Sequence, residues 1–550
     1  MSNPIPPDEA RAAAEDIRAR TRRRSRTMSL DRIALTEDNR RWWTLAAMCF
    51  ALFMVMLDNT VVNVALPSIQ RDLHSSISGL EWTVNAYTLT FAMLIVTGGR
   101  LGDLYGRRRM FLFGVGVFAV SSAAIGLAPT DTWLVAGRAI QGIGAAFMMP
   151  ATLSIITNAF PAHERGKAIG TWAGVSAIAL ALGPVVGGAL VEHVSWRAIF
   201  FLNLPVAVGA LLVTLYATKE SRDHTVEPSV DVAGVVLLST GLGAIVLALV
   251  QGNGWGWSSG RIVGLIAVSV VSLVAFVTHE RRARVPMIDF SYFRSRSFLG
   301  ANVVAFVVSF AMLAMFFFMA LYMQNIHGYS PLQAGLRFLP STVVIMFVGP
   351  LAGRLSDKIG PRPLMVGGLI AVSGSLLWQS YLQVNTSYAF LAGSFVLMGV
   401  GMGFVMSPMS TAAMNSVDQS KAGAASGVLS MSRMVGGTFG VAVLGALVTG
   451  LGRSRLDQLL PSLPAGERAR LAENLGSGAT AHGLPPQVIE SMKESFVYAM
   501  SHGMRLGAGV ALIGAAVASA LIADRPGRER AHEPAERGAR REAQPEPARG

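Results

Sequence analysis

The chain has 550 residues, of which 52% are hydrophobic and only 14% charged, with a mean hydropathy of +0.47. That much apolar surface exceeds what one water-soluble core can bury, so lipid must solvate part of it. The formal net charge of +13 does not signal nucleic acid, because the arginines crowd into two tails and a few short loops between apolar runs.

Met1 to Arg41 is polar and arginine-rich and lacks the apolar core and small-residue cleavage site of a secretory signal, so it is expected to remain as a cytoplasmic tail. Beyond it, apolar segments long enough to cross a hydrocarbon core of about 30 Å, roughly 20 helical residues, recur along the chain. They are predicted near 43–66, 80–99, 110–129, 132–156, 168–191, 198–217, 232–251, 260–278, 298–322, 332–353, 364–382, 388–410, 424–450 and 499–522. The fold class is therefore an all-α polytopic membrane protein with 14 spans. Cys49, the sole cysteine, lies in the first span, which excludes an intramolecular disulfide and a cysteine metal cage. Arg525 to Gly550 mixes Arg, Glu, Pro and Ala with almost no large apolar residue and is read as a disordered cytoplasmic tail.

Loops that keep Lys and Arg resist translocation. Arg107, Arg108 and Arg109 follow span two, Arg281, Arg282 and Arg284 follow span eight, and Arg354, Lys358 and Arg362 surround the end of span ten. The links near Thr130, Asn253, His327 and Asn385 carry neither residue. Both termini are thus predicted on the cytoplasmic side of a plasma membrane, and 451–495 on the outside.

An internal repeat organises the spans. Gly99-Arg-Leu-Gly-Asp-Leu-Tyr-Gly-Arg-Arg-Arg109 returns as Gly353-Arg-Leu-Ser-Asp-Lys-Ile-Gly-Pro-Arg-Pro363, with six of eleven positions identical at an offset of 254 residues. Lys167-Ala168 meets Lys421-Ala422 at the same offset. Eight spans separate the copies, which implies two pseudo-symmetric six-helix bundles, 42–217 and 297–523, with two additional helices and their linkers at 218–296.

Several strings together resemble the major facilitator superfamily, and within it the fourteen-span drug:proton antiporters of the EmrB/QacA type. They are the Gly99 to Arg109 loop, Leu57-Asp-Asn-Thr-Val-Val-Asn-Val-Ala-Leu-Pro67, Arg138-Ala-Ile-Gln-Gly-Ile-Gly144, Gly183-Pro-Val-Val-Gly-Gly188 and Trp196-Arg-Ala-Ile-Phe-Phe-Leu-Asn-Leu-Pro205. The likeness covers about residues 43 to 523 and implies a major facilitator fold that exports small amphipathic or cationic molecules against protons.

Asp58 falls about two thirds of the way through span one, where a charged side chain costs about 2.5 to 3.5 kcal/mol and normally faces a wet cavity. A carboxylate there can exchange a proton against a cationic substrate; the alternative is that it bonds Asn59, Thr60 or Asn63 and holds helices together. Arg138 can hold that carboxylate or lock neighbouring helices, and the resemblance ties it to proton coupling. Arg433, inside span thirteen, fits coupling or packing alike. Glu81 and Arg337 lie nearer span ends and are expected to snorkel to the interface.

Gly99, Asp103, Gly106, Arg107 and Arg108, with Asp357 in the second copy, form a candidate conformational latch, in which Asp103 can cap a helix N-terminus and the arginines can pair with acids or lipid phosphates. Pro361 and Pro363 replace basic positions in the second copy. Gly183 and Pro184 favour a bend and Gly187 and Gly188 a close helix approach, as suits a gate. Asn63, Trp82, Tyr87, Gln141, Phe316 and Arg433 are candidate substrate-pocket residues, with packing the alternative for the aromatics. Gly399, Gly401 and Gly403 mimic a nucleotide string but lie in an apolar span, where helix packing explains them.

No P-loop, HExxH pair or zinc spacing appears, so the chain is read as a transporter without cofactors rather than an enzyme. Its expected partners are a small-molecule substrate, protons and the lipid bilayer; a monomer already contains a complete pathway, and no accessory protein is named by the residues. A proton-coupled uptake permease and a non-transporting membrane scaffold or sensor are the competing readings. The Arg-, Ala- and Gly-rich usage fits a bacterial source.

Overall fold

The computed structural model describes residues 36–222, 229–417, 422–473, 475 and 484–523. The predicted tail 524–550 and nearly all of the N-terminal tail lie outside the described residues. Among the described residues fourteen long helices follow one another along the chain. They are α1 (Glu37–Leu73), α2 (Ile77–Tyr105), α3 (Arg107–Gly126), α4 (Asp131–Ala159), α5 (Ala162–His193), α6 (Ala198–Ala217, interrupted at Leu202) and α7 (Val232–Trp255). The second seven are α8 (Gly260–Glu280), α9 (Arg296–Ile326, its last turn a π-helix), α10 (Pro331–Arg337 continued by Leu339–Ile359), α11 (Pro361–Gln379), α12 (Tyr388–Asn415), α13 (Ala422–Leu459) and α14 (Pro486–Leu521).

Twelve helices among the described residues are long and apolar enough to cross a membrane. The two expected spans outside that set, α2 and α11, are present as helices of 29 and 19 residues but are less apolar. In α2 the cause is a row of polar side chains, Glu81, Asn85 and Thr88, spaced so that they share one face. α13 and α14 run beyond the predicted spans 424–450 and 499–522, and a short helix, Ala465–Glu473, lies between them.

Local chemistry sets the helix ends. Thr36 and Asn39 form a capping box at α1, and Ser76 and Thr130 accept from the backbones of Gly79 and Trp133 at the starts of α2 and α4. The repeated loop has its reason in backbone geometry. Gly106 and Gly360, the second glycines of the two copies, have φ of 115° and 87°, which a side chain disfavours, and each turns one helix straight into the next. Pro361 then occupies the first turn of α11, where a missing N–H costs nothing.

The helices form the two six-helix bundles, α1–α6 and α9–α14. α7 packs against α2 and α13, at the seam between them, and α8 packs on α7. Ser269 donates to the Gly241 carbonyl at 2.8 Å across that hairpin, and α8 turns Val263, Val270, Val271 and Val274 outward. Inside the second bundle Gly399 packs on Ser341 and Val344 of α10, Gly401 on Gly368 of α11 and Gly403 on Val348 of α10, which is the helix-packing role.

One end of the molecule, here the basic end, gathers the α2–α3, α8–α9 and α10–α11 links. The other, the His327 end, gathers α1–α2, α3–α4, α7–α8, α9–α10 and α11–α12. Hydrogen bonds between the bundles run from mid-height to the His327 end. Thr88 and Thr438 share a 2.7 Å bond, Gln324 donates to Val64 O at 2.8 Å, Asn325 to Gln70 at 3.4 Å, and Leu332 N to Glu192 Oε2 at 3.0 Å. The bundles are closed against each other on that side.

Candidate functional site

Five helices of the first bundle converge on Asp58. Its residue is 4% exposed, and Arg138 on α4 is 2% exposed. Arg138 Nη1 lies 2.5 Å from Asp58 Oδ2 and also 2.5 Å from Gln141 Oε1, while its Nε donates to Thr83 O on α2 at 3.1 Å. Oδ1 of Asp58 accepts from Gln141 Nε2 at 3.1 Å and from Asn203 Nδ2 on α6 at 3.2 Å. Ser122 on α3 closes the cluster, accepting from the same two amides at 2.8 and 3.3 Å. The Tyr87 ring lies under the guanidinium at 4.2 Å and packs edge-on against Phe118.

Such a cluster follows from the cost of burying charge. A carboxylate and a guanidinium taken out of water are tolerable only if they pair and their remaining hydrogen-bonding capacity is filled. Both Asp58 oxygens accept here, and three donors address them. The cluster thus ties α1 to α4 and α6 through the one carboxylate.

The candidate coupling residues Asp58 and Arg138 thus meet directly. Gln141 and Tyr87, expected near a substrate pocket, surround the ion pair and are fully buried. Asn63 is buried with its Nδ2 on Asn59 O at 3.0 Å. Trp82 is half-buried against the main core, and Phe316 is buried against the Phe338 ring at 5.0 Å. Arg433 stands apart from these on α13, and its buried Nε has no hydrogen-bond partner among the described residues. Ser122 carries no sequence signal of this role, sitting in an ordinary Val-Ser-Ser-Ala stretch, and Asn203 lies in the Trp196 to Pro205 string without being singled out by it.

At the latch, Arg107 pairs with Asp103 one turn back at 2.9 Å, and the helix cap is a different acid from the one expected. Glu220, just past α6, accepts from the backbone N–H groups of Arg108 and Arg109 at 3.0 and 3.2 Å, so it meets the positive end of α3. Asp103 lies at the end of α2, where the helix dipole offers a carboxylate nothing, and its charge is taken by Arg107 instead. A Cβ on Gly106 would come 2.6 Å from Glu220, and Gly99 rests on Pro150. The side chain of Asp357 lies outside those described.

α5 continues as helix through Pro184. Gly183 and Gly187 face Thr60 and Val61 of α1, Gly188 faces the Pro331 carbonyl, and Gly335 of α10 packs directly on the Pro184 carbonyl. Gly188 and Pro184 therefore lie where the first bundle meets the second, while Gly183 and Gly187 pack within the first. Glu81 corrects the expectation of snorkelling: it is 2% exposed, turned from lipid onto Gly445 of α13. Arg337 lies over the rings of Tyr329 and Tyr388 at 3.8 and 5.1 Å.

The family model described as Major Facilitator Superfamily matches residues 48–441. The chain belongs to that superfamily. Among its curated relatives, the tetracenomycin C resistance and export protein of Streptomyces glaucescens is 35% identical over 494 residues, covering 87% of this chain and 91% of that protein. The multidrug efflux pump LfrA of Mycolicibacterium smegmatis is 34% identical over 489 residues, covering 88% and 96%. The puromycin resistance protein pur8 of Streptomyces alboniger is 37% identical over 418 residues, covering 75% and 83%. Among solved structures, a bacterial homolog of the human lysosomal transporter Spinster, inward-facing and occupied, matches with a TM-score of 0.61 at 19% identity, covering 89% of this chain and 98% of that one. This likeness bears on the fold and agrees with two superfamily bundles.

Proposed function

We propose that this superfamily member is a proton-coupled exporter of small amphipathic or cationic compounds, working by alternating access in a fourteen-span membrane fold whose basic end faces the cytoplasm. The observation that carries the reading is the Asp58–Arg138 pair, buried among five helices with both carboxylate oxygens accepting. Similarity to proteins named for antibiotic resistance, export and multidrug efflux supports the direction.

In this reading α2 and α11 cross beside their neighbours and complete the count of fourteen, and the contacts at the His327 end close the outer side while the basic end admits substrate from the cytoplasm. Export continues when the bundles reclose at the basic end and part at the His327 end. A proton taken by Asp58 neutralises the partner of Arg138, loosens the bonds of Gln141 and Asn203, and resets the first bundle. The Gly183 to Gly188 row, against α1 and α10, supplies the sliding surface for the outer gate.

The test is substrate-evoked proton release from acid-loaded proteoliposomes, with a panel of lipophilic cations and neutral antibiotics, comparing wild type with Asp58→Asn. Release that the variant loses is the expected result. A wild type that folds, inserts and releases no protons with any compound counts against antiport and favours proton-coupled uptake.

A further inference from the structure

Glu81 is a buried carboxylate that the Asp58 cluster does not use. It lies on α2, one turn after the helix start, at the seam with α13 near the His327 end. A Cβ on Gly445 would overlap its Oε1, so glycine there is what admits the carboxyl group, and its Oε2 has no hydrogen-bond partner among the described residues. No ion pair reaches it among the described residues.

The surroundings offer nothing to hold a charge. Along the same face of α2 come Asn85, fully buried with both amide atoms unpartnered, and Thr88, bonded to Thr438. α13 presents Gly445 and Thr438, and the polar group of α7 in this region, Asn253, is committed to the Ala446 carbonyl at 2.5 Å. The nearby acid of α4, Asp131, sits over Gly79, on the opposite side of α2 from Glu81. Among the described residues, none of these groups facing Glu81 from α2, α7 or α13 titrates. A carboxylate without a cation or donors is far costlier in such a place than the neutral acid, so the closed seam accepts the acid form.

We infer that Glu81 is a second protonatable residue of the transport cycle, a positioning residue that locks the His327 end shut when protonated and releases it when ionised. The inference rests on the alternating-access reading above, because only separation of α2 from α13 exposes Glu81 to water. On opening, the carboxyl O–H bond breaks and the proton passes to water at the His327 end; on closing, a proton from that same water returns. Glu81 therefore moves no net proton across the membrane. It sets the pH at which the gate opens, whereas Asp58 carries the coupled proton.

The experiment uses the full chain in lipid nanodiscs with Cys49→Ser and spin labels at Arg71→Cys on α1 and Ser454→Cys on α13, measuring the inter-label distance from acid to alkaline pH. Wild type is expected to gain the long-distance population as pH rises, by about tenfold per pH unit at most, the limit for one linked proton. Glu81→Gln, which keeps shape and removes the charge, is expected to stay at short distance throughout, and Glu81→Asp to restore the response at a shifted midpoint. In proteoliposomes Glu81→Gln is expected to lose transport together with opening, while Glu81→Asp is expected to transport at the wild-type proton-to-substrate ratio. A Glu81→Gln protein that opens with pH as wild type does, or a wild type that never opens, overturns the inference. Failure of antiport itself is read separately, from absent substrate-evoked proton release in a wild type whose labels still respond to pH.

Discussion

The two bundles share a helix plan and differ in what they bury. At the 254-residue offset of the repeat, Asp58 corresponds to Met312, Ser122 to Leu376, Arg138 to Ala392 and Gln141 to Phe395. Where the first bundle assembles an ion pair with its amides and hydroxyl, the second packs Leu376 and Phe395 to full burial. Its buried polar contacts are uncharged, and several are hydroxyls on backbone carbonyls: Ser373 donates to Ala508 O at 3.0 Å, Ser375 to Ser394 O at 2.7 Å, and Ser501 to Ser380 O. At these four positions one half buries a charged cluster and the other buries apolar side chains.

The largest effect should come from breaking the charged half. Arg138→Met leaves Asp58 buried without its cation, which costs about 3 to 5 kcal/mol; thermal unfolding in detergent should register it, and adding Asp58→Asn should recover much of the loss because the stranded charge is gone. Next comes the reverse operation on the apolar half. Met312→Asp places a carboxylate where nothing receives it, at about 2.5 to 3.5 kcal/mol. Ala392→Arg in the same chain should offset part of this if the two positions face each other as Asp58 and Arg138 do. No coupling between the two substitutions in a double-mutant cycle would mean that the halves differ in geometry as well as in chemistry.

A smaller effect sharpens the comparison within the charged half. Asn203→Leu removes one of three donors to Asp58 and should cost about 1 to 2 kcal/mol, with the pH dependence of proton release displaced but release retained. The smallest effect lies in the second bundle, at His327, whose ring stacks on Tyr329 and whose Nε2 lies 2.9 Å from the Tyr322 hydroxyl. Burial, with added repulsion from Arg337 and then Lys493, holds His327 below the ordinary imidazole range. As pH falls through about 6.5, the unfolded chain takes up this proton before the folded one. The stability contributed by neutral His327 is therefore full above that pH and declines below it. His327→Gln should flatten the melting temperature of the detergent-solubilised protein across pH 5 to 7, and an unchanged slope would remove His327 from the account.

Much of this was legible in the residues. Helix positions follow from apolar run length, and the repeat located the two bundles because Gly106 and Gly360 each serve one backbone need, a positive φ between helices that directly abut. Asp58 and Arg138 stood out because charge at membrane depth is costly enough to require a reason. Ser122 and Asn203 did not, since a serine or an amide in an apolar helix has many ordinary uses and only its neighbour gives it a role. Glu220 is not legible as a cap because the acid that caps α3 comes from a loop more than a hundred residues later in the chain, while Asp103 stands nearer in sequence.

The sequence by itself determined that the chain is a set of membrane helices in two related groups, because hydropathy, loop charge and repetition are properties read along one dimension. Tertiary structure alone decided that Glu81 turns inward onto Gly445, that Tyr87 lies under Arg138, and that the bundles meet from mid-height to the His327 end. Each of these depends on which helix faces which. A side chain near a helix end snorkels or buries according to the size of the residue opposite it, and that residue sits hundreds of positions away in the chain.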